Sequence, residues 1–95
     1  MKKSTLEEIK ESANKEISRM AEIFESIKVH DVEKAKEFHD FAKNYFDDGK
    51  WFFEKEKYIE AFEAAVIAWA YIDAGLKLGF FSVPKELKVN FTIDK

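Results

Sequence analysis

The sequence predicts an all-α protein, a three-helix antiparallel bundle with an extended C-terminal tail, and three observations carry this prediction. Apolar residues recur every three or four positions along most of the chain, which is the period of an amphipathic helix. The length of 95 residues fits one domain, so we expect residues 1–95 to form a single unit with the bundle over 4–79 and the tail over 80–95. The hydrophobic content of 46% argues against a disordered chain, and the absence of cysteine excludes a disulfide scaffold.

The first helix is predicted over 4–28. Ser4 and Thr5 each precede a glutamate by three residues, the spacing of a capping box at a helix start. A single apolar stripe follows, formed by Leu6, Ile9, Ala13, Ile17, Met20, Phe24 and Ile27. The opening residues contain no apolar stretch of the kind found in signal peptides, so we expect no secretion signal.

The second helix is predicted over 32–55, with Asp31 as its N-cap. Its apolar stripe includes Gly49, which costs about 1 kcal/mol relative to alanine inside a helix. We therefore expect another helix to approach closely at Gly49. The break at 56–57 is short, which predicts that the helices on either side of it are antiparallel.

The third helix is predicted over 58–78, with Gly79 as the residue that ends it. It is apolar on nearly every side, and a helix of that kind is normally buried. Because two companion helices cannot surround it completely, we expect part of its surface to meet another chain. The residues predicted at that interface are Ile67, Ala70, Tyr71 and Ala74.

The C-terminal tail shows a different period. Leu87, Val89, Phe91 and Ile93 alternate with polar residues, which predicts an extended segment. Such a segment either lies along the helices or pairs with the same segment of a second copy.

Composition limits the classes of function. The formal net charge is −3, and lysines are interleaved with acidic residues, so we expect no nucleic-acid partner; an RNA-associated role is the least favoured alternative. The longest run without a charge is Ala64 to Ile72, too short to cross a bilayer. Abundant lysine and glutamate with no glutamine and no cysteine is the profile of hyperthermophile proteins, and an AT-rich genome would produce the same lysine bias.

Asp73 is the polar residue most informative about function. It follows Trp69 by four positions and therefore projects from the bulky apolar face of the third helix, where a carboxylate has to be paired or protonated. We interpret it as a structural acid. The alternative is a ligand site in which Asp73 and Trp69 join Tyr45 and Tyr71 around an aromatic-lined pocket.

The sequence contains no recognisable metal or cofactor site. His30 and His39 lack a second ligand at helical spacing, and the three glycines form no phosphate-binding loop. With no cysteine and no nucleophile motif, we predict neither a metal nor a cofactor, and we do not predict an enzyme.

The residues from Tyr45 to Gly79 carry a family resemblance. The stretches Tyr-Phe-Asp-Asp-Gly-Lys-Trp-Phe-Phe-Glu and Ala-Trp-Ala-Tyr-Ile-Asp-Ala-Gly-Leu-Lys-Leu-Gly resemble a small archaeal family known as domain of unknown function 357. The resemblance extends from about Ser4 to Gly79. It implies an archaeal, cytoplasmic source and a compact helical domain, and it implies no activity. The function that we favour from the sequence is an assembly module that forms a homodimer, or binds another protein, through the third helix.

Overall fold

The computed structural model describes residues 4–92 and contains three long helices, which confirms the predicted all-α class. In chain order the elements are α1 (Thr5–Ser26), β1 (Lys28–Val29), α2 (Glu33–Glu54), α3 (Tyr58–Lys77), β2 (Phe81–Ser82) and a 3₁₀ helix (Lys85–Asn90). The predicted helix limits agree with these to within two residues. Ile93 and Asp94, which belong to the predicted tail pattern, lie outside the described residues.

The first helix begins as its sequence predicts. The side-chain oxygen of Ser4 accepts a hydrogen bond from the backbone N–H of Glu7 at 3.2 Å. This bond satisfies one of the donors that every helix leaves free in its first turn.

The second helix does not begin as predicted. Val32, rather than Asp31, is the N-cap, and it makes no side-chain cap hydrogen bond. The backbone N–H of Val32 donates to the carbonyl of His30 at 2.8 Å. This tight turn follows directly on β1, so the chain stays extended one residue longer than an Asp31 cap requires.

The two connections that end α2 and α3 have the same geometry. Each places one residue in the left-handed region, Glu56 at φ 61° and Gly79 at φ 77°. The following N–H then donates across the turn, from Lys57 to Phe52 and from Phe80 to Gly75. The predicted role of Gly79 is therefore confirmed, and Glu56 has the same role without the freedom of a glycine.

The core lies where α3 packs against both other helices. Its largest fully buried side chains are Met20 and Ile23 from α1 and Ile72 from α3. Alanines keep the helices close, and a β-carbon at Gly49 would lie 3.3 Å from the backbone oxygen of Ala61. The close approach expected at Gly49 is therefore present, and α3 is the helix that makes it.

The tail differs from its prediction. β2 pairs antiparallel with β1, with Val29 opposite Phe81, and two strands of two residues are too short to produce a period that a sequence would show. Residues 85–90 then form a 3₁₀ helix, so the prediction of an extended segment there is wrong. Leu87 and Phe91 are buried, whereas Val89 is 69% exposed, because the 3₁₀ turn directs these alternate residues to different sides.

Candidate functional site

Asp73 is buried on α3, with only 7% of its surface exposed. It lies on the side of the helix that carries Trp69 and Leu76, where the tail passes over it. Burying a carboxylate is unfavourable unless hydrogen bonds or opposite charges replace its hydration. The partners of Asp73 therefore decide what it does.

Both carboxylate oxygens of Asp73 are engaged by the tail. The backbone N–H of Thr92 donates to Oδ1 at 2.9 Å, and the Thr92 hydroxyl donates to Oδ2 at 2.7 Å. The ammonium group of Lys77, one turn further along α3, lies 3.4 Å from Oδ2. Asp73 thus joins the end of the described chain to α3.

These contacts lower the pKa of the Asp73 carboxyl below its ordinary value of 3.8. Burial alone would raise the pKa, but the two hydrogen bonds from Thr92 and the contact with Lys77 favour the charged form and together outweigh it. The group is consequently ionised near neutral pH. A general acid or base works best with a pKa near the operating pH, so this carboxylate suits an anchor better than a proton-transfer role.

Trp69 holds the same segment of the tail. Its indole N–H donates to the carbonyl of Asn90 at 2.7 Å, and its ring stacks on Phe91 with the two planes 4° apart. The Asn90 side chain donates to the carbonyl of Leu87 and so closes the 3₁₀ turn. Trp69 and Asp73 therefore hold the same segment of the tail. We call the five residues of this site the tail anchor: Trp69, Asp73, Asn90, Phe91 and Thr92.

Sequence reasoning missed the tail half of this anchor. The period-two pattern identified Asn90 and Thr92 only as polar residues that alternate with apolar ones in an extended segment, and it gave them no partner. The available signal was Asp73 itself, since an acid on an apolar face requires donors from somewhere in the fold.

Tyr45 and Tyr71 lie elsewhere. Their rings stack at 6.0 Å, and Tyr71 also packs against Phe38 and Phe41. Positions 71 and 73 are two residues apart, about 200° around a helix, which places Tyr71 far around α3 from Asp73. The four residues of the predicted ligand site therefore do not form one pocket. Trp69 and Asp73 lie at the tail anchor, and the two tyrosines lie between α2 and α3.

A further feature of α3 is the outer face, a stripe that points away from the core. Its apolar side chains are well exposed, 54% for Ile59 and 40% for Ile67. Its members recur at helical spacing along nearly the whole helix. The outer face comprises Ile59, Phe62, Glu63, Val66, Ile67, Ala70, Ala74 and Lys77.

Open grooves run along both sides of the outer face. One lies between α1 and α3, where Ile9 and Ser12 face Ile59 and Phe62. The other lies between α2 and α3, has a volume of about 190 Å³ and is lined in part by Tyr45, Phe52 and Ile67. Both grooves border apolar side chains of the outer face.

The two histidines have structural surroundings. His39 packs edge-on against Phe24 and lies near Phe81, while the backbone N–H of His30 donates to the carbonyl of Phe80 beside the small sheet. Between residues 4 and 92, no three histidine or acidic side chains come together in a group that could hold a metal ion.

Comparison with known proteins now adds the family. A family model described as protein of unknown function (DUF357) matches residues 1–81. The chain belongs to this family. A crystal structure of a family member from Archaeoglobus fulgidus is 28% identical in sequence, superposes with a TM-score of 0.74, and is matched over 85% of this chain and 100% of its own. No functionally curated protein matches the sequence.

The family match locates the tail anchor relative to the shared fold. It covers the three helices and ends at residue 81, so the 3₁₀ helix and Thr92 lie beyond it. Among the helices of residues 4–92, none has the length and apolar character needed to cross a membrane.

Proposed function

We propose that this DUF357 protein is a helical interaction module that self-associates through the outer face of α3. The observation that carries the proposal is the row of exposed apolar side chains on that helix. Ile59, Phe62, Val66 and Ile67 are all exposed to more than a third of their surface. A contiguous apolar stripe of this kind on a small protein is typical of a protein–protein contact.

The part of the tail that the structure describes, through Thr92, does not cover this stripe. Its anchor residues engage Trp69 and Asp73, which lie on one flank of α3, whereas Ile67 and Ala70 lie on the outer face and remain accessible. Within residues 4–92, the tail therefore covers the flank of α3 that carries Trp69 and Asp73, and the outer face stays accessible. A second copy that covers the outer face would remove apolar surface from water, at about 25 cal/mol for each Å² buried.

Three of the four residues predicted for the interface belong to the outer face, namely Ile67, Ala70 and Ala74. Tyr71 borders it and packs against the aromatic rings of α2. We therefore propose an interface centred on Ile67 and Ala70, with Tyr71 as a rigid support at its edge.

The alternative function, a small-molecule site built on Asp73, has weaker support. Thr92 occupies both carboxylate oxygens of Asp73, and the two tyrosines lie in a separate cluster. A ligand at Asp73 would have to displace the tail.

Sedimentation velocity at micromolar concentration tests the proposal. We expect a dimer for the wild-type protein, and a shift to monomer for Ile67→Glu, which places two carboxylates inside the interface. Val89→Glu is the matched control, because it adds the same charge at an exposed apolar residue on the tail. A wild-type protein that sediments as a monomer would refute the proposal, as would equal behaviour of the two variants.

A further inference from the structure

We infer that two copies of this chain pair with their α3 helices antiparallel, related by a two-fold axis that passes beside Ala70. The inference rests on the proposed self-association and specifies the geometry of the partner. The partner is a second copy because the acidic and basic residues of the outer face lie opposite each other when two α3 helices pair antiparallel.

Glu63 and Lys77 are the charged residues of the outer face, and each is seven positions from Ala70. Lys77 also lies 3.4 Å from Asp73 of its own chain, but its side chain is 53% exposed and its ammonium group has three N–H donors, so it can contact a second carboxylate. Seven residues are close to two turns, so all three side chains lie along one line of the helix. A two-fold axis at Ala70 places residue 63 of one copy level with residue 77 of the other. Glu63 then faces the partner's Lys77, and by symmetry the pair occurs twice.

A parallel pair in register would have the opposite effect. Glu63 would face the same glutamate of the second copy, and Lys77 the same lysine. Like charges held opposite each other destabilise a pair of helices, so the charge pattern selects the antiparallel arrangement.

The side chains between the charges suit a close helix pair. Ala70 and Ala74 are small, so they permit a short distance between the helix axes at the centre. Val66 and Ile67 lie on either side of the centre, and Ile67 also lines the groove between α2 and α3. The bulky side chains thus have grooves to enter, while the alanines form the contact line.

The absence of cysteine from the chain allows a direct test of this geometry. In the inferred dimer, Ala70→Cys places two thiols beside the axis, within the distance of about 7 Å between α-carbons that a disulfide requires. Ile59→Cys is the matched control, because its two copies would lie about 33 Å apart, 22 residues at 1.5 Å each.

We expect Ala70→Cys to form a covalent dimer under mild oxidation at micromolar concentration, and Ile59→Cys to stay largely uncrosslinked. A covalent dimer from Ile59→Cys would indicate parallel helices and overturn the inference. If Ala70→Cys fails to crosslink while sedimentation still shows a dimer, the geometry is wrong and self-association stands. A monomeric wild-type protein would overturn both the inferred geometry and the proposed self-association.

Charge reversal gives an independent readout. Glu63→Lys brings a lysine opposite the partner's Lys77, and we expect the dimer dissociation constant to rise about tenfold. Glu60→Lys makes the same change in charge on the same helix, beside the outer face, and we expect it to have less than about a threefold effect. Equal dissociation constants for the two variants would overturn the pairing of Glu63 with Lys77.

Discussion

Asp73 shows how a single buried charge can fix the position of a distant segment. The carboxylate lies 19 positions from Thr92 in the chain, and both of its oxygens accept hydrogen bonds from that residue. Hydrogen bonds to a charged group contribute about 1.5–3 kcal/mol, roughly twice the value for neutral pairs. This contribution offsets the cost of burying the acid, which would otherwise favour its protonation.

Replacing Asp73 by asparagine should destabilise the protein by about 1–2 kcal/mol, because the amide keeps the shape but loses the charge and one acceptor. Urea unfolding followed by circular dichroism measures the change. Asp48→Asn is the control, since Asp48 is an exposed acid on α2 and should change stability by less than about 0.5 kcal/mol. Equal stability of Asp73→Asn and the wild type would contradict the anchoring role.

The lowered pKa of Asp73 predicts how the stability difference between the wild type and Asp73→Asn depends on pH. The folded-state pKa lies below the ordinary value of 3.8, so the stabilising contribution is complete above that value and is lost as the pH falls through the folded pKa. The gap in unfolding free energy between wild type and Asp73→Asn should be constant between about pH 5 and 7 and should narrow below about pH 4. Unfolding curves at a series of pH values measure it, and a gap that widens on acidification would contradict the assignment.

The sequence alone reveals one half of this site, the buried acid, but not its hydrogen-bond partners. Asp73 stands out because it interrupts the bulky apolar face of α3, and its need for partners follows directly from its position. The identity of those partners does not follow. Thr92 comes from another part of the chain, and only the three-dimensional course of the tail brings the two together.

At the scale of elements, the parts that can be predicted are those whose apolar pattern repeats over many residues. The three helices each repeat their apolar pattern over at least five turns, so their limits were predicted to within two residues. The tail has only one short alternation, and Leu87, Val89 and Phe91 fit a strand as well as a 3₁₀ turn. Packing decides between them, because α3 offers Trp69 and Asp73 as partners for a turn at that position.

The two interpretations of the tail predict different effects of alanine substitutions. In the 3₁₀ helix Leu87 is 6% exposed and Val89 is 69% exposed, whereas an extended strand would place both on one side. We therefore expect Leu87→Ala to lower the unfolding free energy by about 2 kcal/mol or more, and Val89→Ala to change it by less than about 0.5 kcal/mol. Urea titration of both variants measures the difference, and similar losses for the two would favour the strand.

At the scale of the whole molecule, α3 connects every other part. It packs against α1 and α2, its bulky flank receives the tail, and its outer face is exposed. The family match over residues 1–81 includes the three helices and stops before the 3₁₀ helix. This division indicates that the bundle is the shared unit and that the tail is an addition that covers one flank of α3.

The division predicts the result of removing the tail. A chain that ends at Val83 should keep its helical circular dichroism, because the core formed by Met20, Ile23 and Ile72 remains. It should lose about 2–4 kcal/mol of stability, the burial of Leu87 and Phe91 less the entropy of ordering the segment. Trp69 would also become exposed, so its fluorescence should shift to longer wavelength.

Trp51→Phe should serve as the background for this experiment, so that the emission reports Trp69 alone. Trp51 is half exposed and lies on α2, away from the tail, so its replacement should leave the fold intact. If the truncated chain loses its helical signal, the tail is an integral part of the bundle and the division is wrong. If the chain stays helical but the Trp69 emission does not shift, the indole does not depend on Asn90 and Phe91 for its cover, which would contradict the tail anchor.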